Sequence, residues 1–311
     1  MPVITWWGHA TTTVQDSGVR VLTDPVFAGR VGHLRRLRGP SPGPSAAVAD
    51  LVVVSHLHAD HLHLPSLACL QHGSPVLLPA GAVAAVPGLR RVARRRCLEL
   101  IEVIAGDEVA VGAVRVRAVP ALHDGRRWPF RCWPFPGGRP PVGALGYVVA
   151  GASTTYFAGD TDFFPDMPSA VGPCDVALLP VGGWGPRLGI GHLNPQRAAL
   201  ALSQLSARAA VPIHFGTFCP LGLDRRPGSW FSHPGREFAA QASLFAPDAV
   251  VHELAPGGTA DLSALPVSPV PPAPVPPAVP VLPAVPVLPV PSALPVPSVL
   301  PVLPVAQTAR P

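Results

Sequence analysis

The chain has 311 residues, a formal net charge of +5 and a mean hydropathy of +0.35, enough length for one large core. Every one of its 23 Lys/Arg residues is arginine, which excludes a Schiff-base or phosphate-loop lysine. With abundant Ala, Gly and Pro, this bias discounts the charge as a sign of a nucleic-acid partner. Five cysteines, odd in number and without C-x-x-C spacing, fit a reducing, cytoplasmic compartment better than a disulfide framework. The N-terminus lacks the features of a signal peptide, and no apolar run is long enough to span a bilayer. Between Pro266 and Pro311, 17 of 46 residues are proline. We therefore expect a globular domain over residues 1–260 and a low-complexity, disordered tail over 261–311.

Short strands are expected at Val3–Trp7, Thr11–Gln15 and Val19–Leu22, with Asp16-Ser17-Gly18 as a hairpin turn. His9 interrupts the first pair and reads equally as a site residue or a structural histidine. Asp24, at the exit of the third strand, reads as a partner of a metal ligand or as a turn cap. Phe27 to Ala47 reads as a long loop whose four arginines (Arg30, Arg35, Arg36 and Arg38) are solvated; receiving an anionic group is their alternative role.

The apolar run Leu51–Val54 then delivers Ser55-His56-Leu57-His58-Ala59-Asp60-His61. Four metal-binding side chains lie within six residues. Imidazole and carboxylate donors suit a borderline metal such as zinc. A helix is expected from Leu64 to Gln71, then a strand at Val76–Leu78 and an exposed arginine-rich helix at Leu89–Arg96. A meander of strands runs from Leu98 to Val119 and ends at His123. An aromatic and arginine-rich loop containing Trp128 and Trp133 follows and is suited to covering a pocket. A hairpin over Ala144–Ala158 ends at Asp160. Asn194 and Pro195 cap a helix reaching about Arg208. The strand Ala210–Ile213 leads to His214, and a last helix and strand cover Glu237–Phe245 and Ala249–Leu254.

Four times a strand ends in a potential ligand, the arrangement expected where loops converge over a rigid sheet. His56, His58 and His123 make one set. Asp60, His61 and His214 make another, with Asp160 bridging the two. Each set leaves room for water, as a catalytic site requires.

These motifs resemble the metallo-β-lactamase superfamily. They are Trp7-Gly8-His9-Ala10-Thr11, Leu22-Thr23-Asp24-Pro25-Val26-Phe27, Ser55-His56-Leu57-His58-Ala59-Asp60-His61, Pro120-Ala121-Leu122-His123, Phe157-Ala158-Gly159-Asp160-Thr161 and Ile213-His214-Phe215-Gly216-Thr217-Phe218. More narrowly, they resemble the branch holding N-acyl-phosphatidylethanolamine phospholipase D and lactonase-like bacterial proteins. The resemblance implies an α/β fold, the four-layered αβ/βα sandwich. It also implies two divalent metal ions, in first place Zn2+, and a role for His192 beside them.

The expected activity is hydrolysis of an ester-like bond by a metal-bound hydroxide, a phosphodiester first and a lactone or thioester of a small metabolite second. Asp60, Asp160 and His192 are the expected proton carriers. Trp128, Trp133, Trp184 and Arg187 are the expected substrate contacts, and Arg126 and Arg127 are further phosphate candidates. The expected partner is a small-molecule or lipid-like ester, with no nucleic acid. A reading of another class is a non-catalytic metal-binding scaffold acting through its proline-rich tail.

Overall fold

The computed structural model describes residues 2–127 and 143–263. Leu51, Val52, Val53 and Val54 are all fully buried, yet they serve two different cores. Leu51 and Val53 join Ile4, Trp6 and Tyr147, whereas Val52 and Val54 join Leu67, Ala82 and Leu89. Alternate side chains of a strand point to opposite faces, so a strand covered on both sides reads as an unbroken apolar run.

The first half supplies β1 (Val3–Gly8), β2 (Thr11–Asp16), β3 (Val19–Thr23), β4 (Arg30–Val31), β5 (Leu34–Arg36), β6 (Leu51–Val53), β7 (Pro75–Pro79) and β8 (Glu99–Val103). Its helices are α1 (Leu64–Leu67), α2 (Ala82–Ala85) and α3 (Leu89–Arg96). The second half supplies β9 (Glu108–Val111), β10 (Val114–Pro120), β11 (Leu145–Ala150), β12 (Thr154–Phe157), β13 (Val176–Pro180), β14 (Ala209–Ile213), β15 (Phe218–Pro220), β16 (Val250–Val251) and β17 (Gly258–Asp261). Its helices are α4 (Met167–Val171), α5 (Pro195–Leu205), α6 (Ser229–Ser232) and α7 (Pro234–Phe245).

Two seven-stranded sheets result, in the orders β17-β1-β2-β3-β6-β7-β8 and β16-β14-β13-β12-β11-β10-β9. Each is mixed. β3, β6, β7 and β8 run parallel, as do β12, β13, β14 and β16, while the hairpins are antiparallel. The inner faces share one apolar core. Leu67, Ala82 and Leu89 of α1–α3 cover the outer face of the first sheet. Ala198 and Leu202 of α5 and Phe238 of α7 pack with the second. This is the expected four-layered αβ/βα sandwich.

Several local expectations are met for their stated reasons. Ser17 and Gly18 both have positive φ (51° and 78°), as a tight hairpin of matching twist requires. Asn194 caps α5 by accepting from the Arg197 amide at 2.9 Å. Other expectations are corrected. Phe27–Ala47 is not one loop: β4 and β5 form a hairpin that joins β15 in a small third sheet. Arg36 in that segment is buried, not solvated. Its guanidinium donates to the Trp7 and Val26 carbonyls at 3.1 Å each and lies 5.0 Å from the Phe218 ring centre. Burial pulls its pKa down to about 10. The helix after the histidine motif is shorter than expected, and β17, which closes the first sheet against β1, was not foreseen.

The two halves are stitched together at the turn ends of β2 and β11. The buried Asp16 carboxylate accepts from the amides of Ala152 (3.0 Å) and Ser153 (3.1 Å), and from the hydroxyls of Ser17 and Ser153. No side chain fits at Gly151, where a Cβ would lie 2.9 Å from this carboxylate. Asp16→Ala strands the buried Ser153 amide, and we expect a loss of about 3 kcal/mol in unfolding free energy. Urea titration with an unchanged slope is the check.

Candidate metal centre

β6 ends at Val53, and the chain leaves the sheet as an irregular segment pinned at each step. Val54 donates to Leu77 O at 3.0 Å and Leu57 to Gly125 O at 2.9 Å. His56 and His61 are fully buried and Asp60 is 8% exposed. His58, half-buried, stands on the open side. β10, β12 and β14 end nearby and contribute His123, Asp160 and His214. A Cβ at Gly159 would meet Ser55 Cβ at 2.6 Å, so glycine is what lets these strand exits approach.

The structure brings the candidate ligands of both sets close together. His56 Nε2 lies 2.9 Å from His58 Nδ1, and His123 Nε2 lies 3.3 Å from the same atom. His61 Nε2 and His214 Nε2 face each other at 3.1 Å, with Asp60 Oδ2 3.9 Å from His61 Nε2. Asp160 stands between the sets. Its Oδ2 is 3.9 Å from His56 and 3.4 Å from His61, and its Oδ1 is 3.1 Å from His214.

Partners on the far sides of the rings assign the tautomers. His123 Nδ1 faces Gly191 O at 2.9 Å and His214 Nδ1 faces Gly182 O at 3.0 Å. His61 Nδ1 is 2.6 Å from Asp24 Oδ2. Ser55 Oγ donates to Asp24 Oδ2 at 2.6 Å and is therefore free to accept from His56 Nδ1 at 2.9 Å. In the neutral form of all four rings the proton sits on Nδ1, so the Nε2 lone pairs converge on one another and on Asp160. Burial pushes His58 down to about 4 and His214 down to about 3, and lowers His56 and His123 too. These imidazoles are neutral at pH 7, the form a ligand requires.

The carboxylates stay ionised. Burial raises Asp160, but its interactions with the neighbouring His214 and His61 rings and the hydrogen bonds from His192 and His61 outweigh that and hold the group well below its ordinary value. Asp60 is also lowered: burial opposes ionisation, and the His9 hydrogen bond with the neighbouring histidines overcomes it. His61 is the exception among the rings, since burial disfavours its charge but Asp160 and Asp24 raise its pKa.

This donor set fits a metal cation. Asp160 Oδ1 is buried with no hydrogen bond, because the nearest ring nitrogen, His214 Nε2, presents a lone pair to it. A buried anionic oxygen among lone pairs is costly unless a cation joins it.

Asp24, left open by the sequence between a ligand's partner and a turn cap, contacts His61 Nδ1. His9, left open by the sequence, contacts Asp60 through Nε2 at 3.0 Å. His9, Asp24 and His214 all adopt positive φ (52°, 34° and 62°), a strain that clusters at functional sites. His192 reaches the cluster from the open side, with Nε2 3.5 Å from Asp160 Oδ2. Burial lowers its pKa, and the Asp160 hydrogen bond and charge more than reverse that.

A cleft of about 810 Å³ opens above the cluster, lined by His58, Leu122, His123, Arg126, Ile190 and His192 among others. Trp184 and Arg187 share the loop before His192, but neither is among the described residues that line the cleft. Trp184 packs edge-on against His33 at 5.2 Å. Trp128 and Trp133 lie outside the described residues. Arg126 is paired with Asp124 at 2.9 Å, and Arg127 donates to Leu62 O. Sequence reasoning missed Ser55, Gly191 and Ile190. Ser55 carried a signal in its place directly before His56, whereas Gly191 and Ile190 carried none.

The beta-lactamase superfamily domain matches residues 19–215. A metal-dependent hydrolase from Nitratidesulfovibrio vulgaris is 30% identical over 260 residues, covering 82% of this chain and 92% of that protein. An N-acyl-phosphatidylethanolamine-hydrolyzing phospholipase D of Caenorhabditis elegans is 31% identical over 242 residues, covering 70% of this chain and 64% of its own length. The chain spans 59% of the length of its Mycobacterium tuberculosis relative. Among solved structures, a metallo hydrolase from Ignicoccus hospitalis superposes with a TM-score of 0.58 at 19% identity, covering 83% of this chain and 97% of that one.

Asp24→Asn removes the acceptor of the His61 proton while keeping the side-chain volume. We expect metal affinity to fall between about 10- and 100-fold in a chelator competition, with the circular dichroism spectrum unchanged.

Proposed function

We propose that the chain, which belongs to the beta-lactamase superfamily, is a metal-dependent hydrolase that cleaves an ester-like bond, a phosphodiester in first place. The observation that carries this reading is the open side of the ligand cluster. There, His58, His123 and His192 face the cleft while the other donors are buried behind them.

We assign His56, His58 and His123 to one divalent cation and Asp60, His61 and His214 to a second, with Asp160 shared between them. Zinc is the proposed ion, since imidazole and carboxylate donors suit it. When bound, such cations supply a water of lowered pKa and a polarised substrate oxygen. The chain's own groups do the rest. Asp160, with Asp60 as the alternative, takes up a proton. His192, whose Nε2 is 3.5 Å from Asp160 Oδ2, receives it and donates it to the leaving oxygen. Gly189 O, 3.2 Å from His192 Nδ1, keeps that ring oriented. Trp184 and Arg187 are proposed outer substrate contacts.

The phosphodiester preference rests on likeness to the worm phospholipase D, and with it comes a lipid-like ester as the proposed substrate class. A lactone or thioester of a small metabolite is the second reading. It is favoured by the pairing of Arg126, the arginine among the described lining residues, with Asp124. Among the described residues no helix is long and apolar enough to cross a membrane. Free thiols at the exposed Cys69 and Cys97 support a cytoplasmic location.

His58→Ala and Asp160→Ala are each expected to lose bound metal and turnover together, read by elemental analysis and by hydrolysis of a chromogenic phosphodiester. Full turnover by metal-free protein would overturn the assignment. His192→Ala should lower kcat about 100-fold while metal content stays at the wild-type level. A parallel lactone series ranks the two substrate classes by kcat/KM.

A further inference from the structure

Among the described residues, eleven large apolar side chains are exposed, and six of them lie on three linked segments, two of which contribute Leu122 and Ile190 to the cleft lining. Ile190 is 101% exposed and Leu122 53%, and both line the opening. Gly191 ties them together, since a Cβ there would touch Leu122 O at 3.0 Å. From Ile190 the apolar rim continues to Leu188, whose Cδ2 would lie 3.0 Å from a Cβ on Gly183. Trp184 follows, edge-on to His33, and His33 O accepts from the Leu221 amide at 2.9 Å. Leu221 and Leu223 complete the run at 44% and 43% exposure. Scattered exposed leucines need no explanation, but a run of linked apolar segments that starts at the lining of a site does.

The same segments are cationic. Arg187 stands between Trp184 and Leu188, and Arg225 and Arg226 follow Leu223; all three are exposed. Arg30 and Arg35 sit directly opposite each other in the β4–β5 register. Like charges paired across strands are unfavourable without an anion to answer them. Asp224, 3.1 Å from Arg35, is the single carboxylate within residues 28–36, 184–190 and 221–226. Five exposed arginines thus stand beside one acid in these stretches, the sixth, Arg36, being buried, while Asp124 next to Leu122 is paired with Arg126.

Apolar tips interleaved with arginines match one kind of surface. We propose that this rim docks on an anionic lipid bilayer, with its leucine, isoleucine and tryptophan side chains at the headgroup–acyl boundary and its arginines on the phosphates. The cleft then opens toward the lipid. The hydrolytic reading bears only on what enters the cleft, not on the docking itself.

The test is co-sedimentation of the full chain with phosphatidylcholine vesicles and with mixed phosphatidylcholine–phosphatidylglycerol vesicles. Binding is expected to the anionic mixture, to weaken with added salt, and to fall at least about tenfold in the triple variant Leu223→Asp, Arg225→Ala, Arg226→Ala. Leu244→Asp is the control. Leu244 is 73% exposed near the far end of α7, ten residues and about 15 Å along the helix from Pro234, and this variant should bind as wild type. Circular dichroism confirms that both variants fold. Absence of vesicle binding, or equal binding by the triple variant and wild type, overturns the proposal. So does a dimer in light scattering that Leu223→Asp dissolves, which would assign the rim to a second copy. Sedimentation needs no turnover, so failure of this proposal and failure of the hydrolytic one stay distinguishable.

Discussion

One buried carboxylate sets the direction of half the cluster. Asp24 accepts from the Ser55 amide at 2.7 Å, from the Ser55 hydroxyl and from His61 Nδ1. Through His61 it orients one ligand set directly. Through Ser55, whose oxygen accepts from His56, it orients the other. Two rings in different sets therefore owe their tautomer and their aim to a single side chain. Its backbone is held in turn, since the Asp24 amide donates to Val53 O and its carbonyl accepts from the Thr11 hydroxyl at 2.7 Å. A left-handed φ at Asp24 is tolerated because these bonds over-determine it.

Two more rings, His123 and His214, are oriented by backbone carbonyls, and those carbonyls belong to the second half of the chain. Gly182 O holds His214, and Gly191 O holds His123. Both lie on the segment that runs from β13 to His192. The geometry of two ligands thus depends on the same loop that carries the candidate proton donor and the apolar residue at the cleft mouth.

Much of the candidate site was legible because its histidines and aspartates cluster in sequence and follow strongly patterned strands. The run from His56 to His61 announces itself, and His123, Asp160 and His214 share its position just past a strand end. What supports those residues was harder to read. Ser55 and Gly191 act through a hydroxyl and a carbonyl, groups common to much of the chain. Arg36 looked solvated because an arginine in a Gly/Pro-rich segment normally is; only the tertiary packing of Phe218 and three backbone carbonyls makes its burial tolerable. β17 escaped notice because Gly258–Asp261 has little strand propensity and is recruited by the free edge of β1.

The Asp16 contact with Ser153 lies at the opposite ends of the strands from the ligands. β2 is six residues long, so the two points stand about 20 Å apart. Asp60 and His61 come from one half of the chain, while Asp160 and His214 come from the other. A cation held among them would be a second rivet through the same two plates. Metal uptake in such a molecule feeds straight into folding stability. With such a cation absent, the Asp16 contact would be the link that keeps the plates joined.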